Sequence, residues 1–216
     1  MTDSVAKTGR ADGTRELILH AAERLFAERG VVAVSNRQVG EAAGQGNNTA
    51  VGYHFGGKAD LVRAIVRKHM GAVEQERLRM ISGIGDSAEL RDWVACLVRP
   101  LTQHLDALGT PSWLARFGVQ AMADPALREI MVDEAFTMPS LEQILDGVNR
   151  HLTMLPLPVR LERREMERHL LLQVCAERER ALALGTPTPR ASWEDTATGL
   201  IDAIVGMWLA PVTGIE

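Results

Sequence analysis

Apolar side chains recur three and four positions apart over most of the 216 residues, and no stretch alternates for long with a period of two. That spacing is the mark of amphipathic helices and excludes a sheet-built domain. The first stripe is Leu17, Ile18, Ala21, Ala22, Leu25 and Phe26, with Thr14 placed to cap it and Gly30 placed to end it. Val39, Ala43, Val51, Phe55 and Leu61 supply partners for that stripe, which predicts a three-helix core supported by the helix after it. The helical pattern resumes at Lys58 and holds to about Ile81, where ISGIGDS interrupts it. Further helices are expected near Ala88–Leu108, Ser112–Met122, Pro125–Glu134, Pro139–Met154, Arg160–Leu184 and Ser192–Leu209. Gly109-Thr110-Pro111, Asp124-Pro125, Pro156-Leu157-Pro158 and the run from Gly185 to Pro189 separate them. The expected class is all-α: residues 1–13 as a flexible arm, a small domain over 14–60, and a larger helical domain over 61–216.

The most informative stretch runs from Ser35 to Leu61, SNRQVGEAAGQGNNTAVGYHFGGKADL. Ser35 followed by Gln38 is a capping box, which starts a short helix whose apolar face is Val39 and Ala42-Ala43. Gly44 and Gly46 break it, because glycine takes positive φ without steric cost. Asn47 or Asn48 can cap a second short helix carrying Thr49, Val51 and Tyr53. Two short helices about a glycine turn form a helix-turn-helix, whose second helix enters the DNA major groove.

From about Thr14 to Leu61 the chain resembles the DNA-binding domain of the TetR family of bacterial transcriptional regulators. TRELILHAAERLFAERG matches its first helix, SNRQVGEAAG the second, and NNTAVGYHFGGKADL the recognition helix with the start of a fourth. Tyr53-His54-Phe55, Lys58 and Leu61 are the most specific part. Two departures stand out: one more residue than usual between Gly44 and Phe55, and Gly52 where many members carry an aromatic side chain. The resemblance implies a ligand-responsive repressor that binds a near-palindromic operator as a homodimer.

Charge fits one-ended DNA binding. The net charge is −4, yet residues 1–70 carry 10 Lys+Arg against 7 Asp+Glu, and residues 71–216 carry 14 against 21. Within Gln38–Gly57 there is no Lys or Arg. The polar candidates there are Gln45, Asn47, Asn48, Thr49, Tyr53 and His54. Asparagine can pair bidentately with adenine, and the threonine methyl can meet the thymine methyl. Arg37 and Lys58 flank the motif and are the expected phosphate contacts, and Tyr53 and His54 resemble the family's backbone-contacting pair.

In the second domain, Leu170 and Val174 on one helix and Leu200, Ile201, Ile204 and Trp208 on the last recur at helical spacing. Such stripes fit a four-helix dimer interface as well as a core of their own subunit. Trp93, His104, Trp113, Phe117, Gln120, Met138 and His151 are the candidates for a mostly apolar effector pocket with a few polar groups. Arg163, Arg164, Glu165, Glu167 and Arg168 read as a solvated helix face.

Rival classes find little support. No histidine follows a glutamate by three residues, as a di-iron bundle requires, and there is no P-loop, G-x-S-x-G or G-x-G-x-x-G. An all-α enzyme or a helical adaptor that binds only proteins is the alternative. No metal or other cofactor is expected. Cys96 and Cys175 stand apart without ligand spacing, the first residues lack the apolar run of a secretory signal, and no run is long enough to span a membrane. A cytoplasmic protein without membrane contact is therefore expected.

Overall fold

The computed structural model describes residues 2–45, 49–85 and 88–213. Among them are ten α-helices and no strand. In chain order these are α1 (Thr2–Arg29), α2 (Asn36–Ala42), α3 (Ala50–Phe55), α4 (Lys58–Gly83) and α5 (Leu90–Leu108). Then follow α6 (Leu114–Ala123), α7 (Pro125–Phe136), α8 (Pro139–His151), α9 (Leu157–Leu184) and α10 (Trp193–Leu209). No helix among the described residues is long and apolar enough to cross a membrane.

The chain divides into two compact units. The first joins Met1–Lys68 to Arg116–Glu134, and the second joins His69–Ala115 to Ala135–Glu216. The first is thus larger than residues 14–60, because it takes the start of α4 and most of α6 and α7. Its core is built on α1, where Ile18, Leu19, Ala22, Leu25 and Phe26 are buried. Leu17, expected in that stripe, faces outward and Leu19 takes its place. Phe117 from α6 stacks on Phe26 with ring centroids 6.3 Å apart, a long-range contact that ties α6 to this core. Helical hydrogen bonding does not start at Thr14 but continues back to Thr2. At the other end Gly30 stops α1 with φ +86° and an amide donating to the Phe26 carbonyl, a conformation that disfavours a side chain.

In the second unit, α5 packs against α8 and α10, and α10 against α9. Leu200, Ile201, Ile204 and Trp208 of α10 are all 2% exposed or less, so they are core residues of their own subunit. A side chain with no surface left adds no area to a dimer, and the expected interface role of these four is corrected accordingly. The buried face of α9 is unexpectedly polar. It carries Val159, Leu171 and Cys175, but also Arg163, Glu167, Arg178 and Glu179. The mixed charge run is therefore solvated only in part.

Those buried charges have local work. Arg163 donates to the carbonyls of Trp208 and Ala210 at 2.8 Å each, closing the end of α10. Arg178 donates to the carbonyls of Arg190 and Ala191 and lies over the Trp193 ring. Glu179 accepts from the Ser112 hydroxyl at 2.9 Å and the Ala115 amide at 3.2 Å, so it satisfies donors at the start of α6.

Candidate nucleic-acid interface

The helix-turn-helix forms as its local chemistry dictates. The Ser35 hydroxyl accepts from the Gln38 amide at 3.2 Å, while the Ser35 amide donates to Gln38 Oε1 at 2.8 Å. This completes the capping box and fixes where α2 begins. Gly44, at φ +69°, turns the chain out of α2. Val39 and Val51 are buried, and the open Cα of Gly40 lies against Val51, so α2 and α3 pack closely. After α3 the Gly57 amide donates to Asp60 Oδ2 at 3.1 Å, which caps the start of α4.

This scaffold displays the expected contact residues unevenly. Tyr53 is 85% exposed, a large aromatic side chain held in solvent on the short helix α3. His54 is half-buried and meets Tyr53 edge-on, with ring centroids 5.2 Å apart. Thr49 is exposed at the N-cap position of α3. Gln45 is half-buried and donates to the Ala43 carbonyl at 3.1 Å. Asn47 and Asn48 lie outside the described residues.

The two flanking cations differ from each other. Arg37 is exposed and pairs with Glu41 one turn on at 2.8 Å; the hydrogen bond and the charge of that carboxylate raise its pKa further. Lys58 instead turns back to the loop after α1, donating to the carbonyls of Val31 at 2.9 Å and Val32 at 3.2 Å. Its ammonium braces the end of α1, a role that motif reading missed because the acceptors are backbone atoms 26 and 27 residues away.

Beside this edge lies a cleft of about 450 Å³ between α1, the end of α3 and the start of α4. Phe55 forms part of its wall; expected as core, it is only half-buried and is covered by the Arg15 guanidinium, 4.9 Å from the ring centroid. Arg63 and Arg67 also line the cleft, and Arg67 makes two 2.7 Å hydrogen bonds to Glu134 of α7. That carboxylate, through its hydrogen bonds first, raises the Arg67 pKa.

The expected effector-pocket residues are divided between the two units. Phe117 and Gln120 belong to the first unit, Phe117 in its core and Gln120 beside Gly30 in a cleft of about 290 Å³. The other five belong to the second unit. Trp93 is buried against Gly147 of α8 with the Arg150 guanidinium over its ring, so its indole is already covered. His104 hydrogen-bonds His69 through ring nitrogens 3.0 Å apart. Trp113 and Met138 are half-buried, and His151 is exposed at the end of α8.

Comparison with known proteins agrees with this architecture. Residues 18–65 match the family described as bacterial regulatory proteins, tetR family. The HTH-type transcriptional repressor AcnR of Corynebacterium glutamicum is 29% identical over 131 residues, spanning 58% of this chain and 68% of that protein. A solved TetR-family regulator from Rhodococcus sp. shares the fold at TM-score 0.55 and 17% identity, over 90% of this chain and 98% of its own. PfmR from Thermus thermophilus does so at TM-score 0.51 and 16% identity, over 87% and 96%. Over residues 18–65 the chain thus carries the DNA-binding domain of the bacterial regulatory proteins, tetR family, and its all-helical body shares the fold of solved TetR-family regulators.

Proposed function

We propose that the protein is a repressor that binds a near-palindromic operator as a homodimer and releases it when a small, mainly apolar effector binds. The observation that carries the reading is the capped, glycine-turned α2–α3 pair with Tyr53 held in solvent. The repressor role is supported by the name of the AcnR relative. In this reading α3 enters the major groove, where Asn47, Asn48, Thr49 and Gln45 read base edges. Tyr53, His54, Arg37 and Lys58 hold the backbone. Asn48→Ala then relaxes preference at one base position.

The dimer uses the outer faces of α9 and α10. On α9, Met166 is exposed and Leu170 half-buried on one helical face, with half-buried Val174 at its margin. On α10, Ala203, Gly206 and Leu209 point outward. The effector acts within the second unit, where Trp113, Met138, His104 and His151 remain candidates, and linkage makes effector and operator lower each other's affinity equally.

Selection of bound duplexes from a random library tests the reading. Two inverted half-sites about one DNA turn apart, roughly 34–36 Å or a multiple, are expected. Recovery of no duplex, or sedimentation of a monomer at micromolar concentration, refutes the corresponding part.

A further inference from the structure

We infer that the cationic cleft between α1, α3 and α4 is a second grip on the DNA phosphate backbone, beyond the helix-turn-helix itself. The inference rests on the DNA-binding reading above. It starts from a deficit: Gln38–Gly57 has no Lys or Arg, so the motif offers a phosphate backbone only the two cations that flank it, Arg37 and Lys58. Phosphate contact dominates the affinity of DNA-binding proteins, so further positive charge must come from elsewhere.

The cleft supplies it. Arg15, His54, Arg63, Arg67 and Lys68 converge on about 450 Å³ of space beside the Tyr53–His54 end of α3. Two carboxylates, Glu16 and Asp60, share the lining, and Glu134 of α7 pairs with Arg67 and lies 3.9 Å from Arg63, which leaves four permanent positive charges against three negative ones. The acids hold the cations in place without cancelling them: Asp60 pairs with Arg63 at 2.9 Å and Glu16 with Lys68 at 3.5 Å. These pairs are partly exposed, so a phosphate can compete for them at little cost. Arg15 is the best prepared. Its guanidinium carbon lies 4.9 Å from the centre of the Phe55 ring, which places a planar, five-donor group at the cleft, the kind that suits a phosphate.

The test is the salt dependence of duplex binding by the full-length protein, with a selected duplex and a random one of equal length. Arg15→Gln and Lys68→Gln are each expected to weaken both duplexes by the same factor and to lower the slope of log affinity against log salt by about 0.9. Arg15→Lys, which keeps the charge, restores the slope; this separates phosphate contact from a loss of packing on Phe55. If the wild-type protein binds with a clear salt slope that both glutamine variants retain, the second grip is overturned and the DNA-binding reading stands. If the wild-type protein binds neither duplex, both fall together.

Discussion

The indole of Trp93 occupies the space where a Cβ on Gly147 would sit: such an atom would lie 2.1 Å from Trp93 Cδ2. The contact joins α5 to α8, and Arg150 covers the same ring from one turn further along α8. Gly147→Ala must displace the indole or part the helices. Overpacking of this kind costs about 1–3 kcal/mol. Urea unfolding is expected to show a lower midpoint, and Trp93→Leu in the same background should recover part of the loss, because contacting sites are not additive. Equal midpoints for wild type and Gly147→Ala would show that the ring moves freely.

Lys58 offers a sharper separation of roles. Its ammonium bonds two carbonyls of the loop after α1, and hydrogen bonds to a charged group are worth about 1.5–3 kcal/mol. Lys58→Ala is therefore expected to lower stability by about that much, and also to flatten the salt slope by about one unit if the amine reaches a phosphate. Arg37→Ala should differ. Its pair with Glu41 is exposed to solvent, so stability hardly changes while DNA affinity falls. A Lys58→Ala protein that loses stability and keeps its salt slope would leave Lys58 as a brace alone.

What could be read from the sequence was what depends on near neighbours. Ser35 and Gln38 are three residues apart, and the capping box they predicted is formed. The end of α1 at Gly30 and the stop of α9 at Gly185 are equally local. Apart from the start of α1 and the outward turn of Leu17, what was misread depends on distant partners. Phe117 belongs with Phe26 of α1, which no periodicity in α6 reveals. Arg163 and Glu167 sit in a charge run that looks solvated, yet they are buried because α10 ends above them. Leu200 and Ile204 form a clean stripe, but a stripe does not say whether its partner is α5 or a second subunit.

Both cysteines are buried, and burial pushes their thiols up, to about 11 at Cys96 and about 12 at Cys175. The carboxylates of Asp92 and Glu179 add to the two shifts respectively. The thiolate is the reactive species, so the native protein should label with thiol reagents far more slowly than the urea-unfolded chain at the same pH. Rapid labelling of either thiol under native conditions would mean that its helix opens often.

Glu167 gives the protein a pH dependence of unusual sign. Its carboxyl is 4% exposed on the inner face of α9, and burial raises its pKa from 4.5 to about 7, against the smaller opposing pulls of Trp208 and Arg164. Below about pH 4.5 the folded and unfolded chains both hold the proton, and the site adds no penalty. Between about 4.5 and 7 the unfolded chain releases the proton while the native one keeps it, so stability falls as pH rises; above about 7 the loss is complete. The gap corresponds to about 3 kcal/mol. Glu167→Gln keeps the shape and cannot ionise. It is expected to match the wild type near pH 4 and to exceed it near pH 8 by up to that amount in urea unfolding. Parallel stability profiles for the two proteins would mean that water or a neighbouring arginine keeps the native carboxylate charged. Arg163 on the same face is the control. It holds the Trp208 and Ala210 carbonyls, and a guanidinium does not titrate in this range, so Arg163→Met should destabilise the protein equally at both pH values.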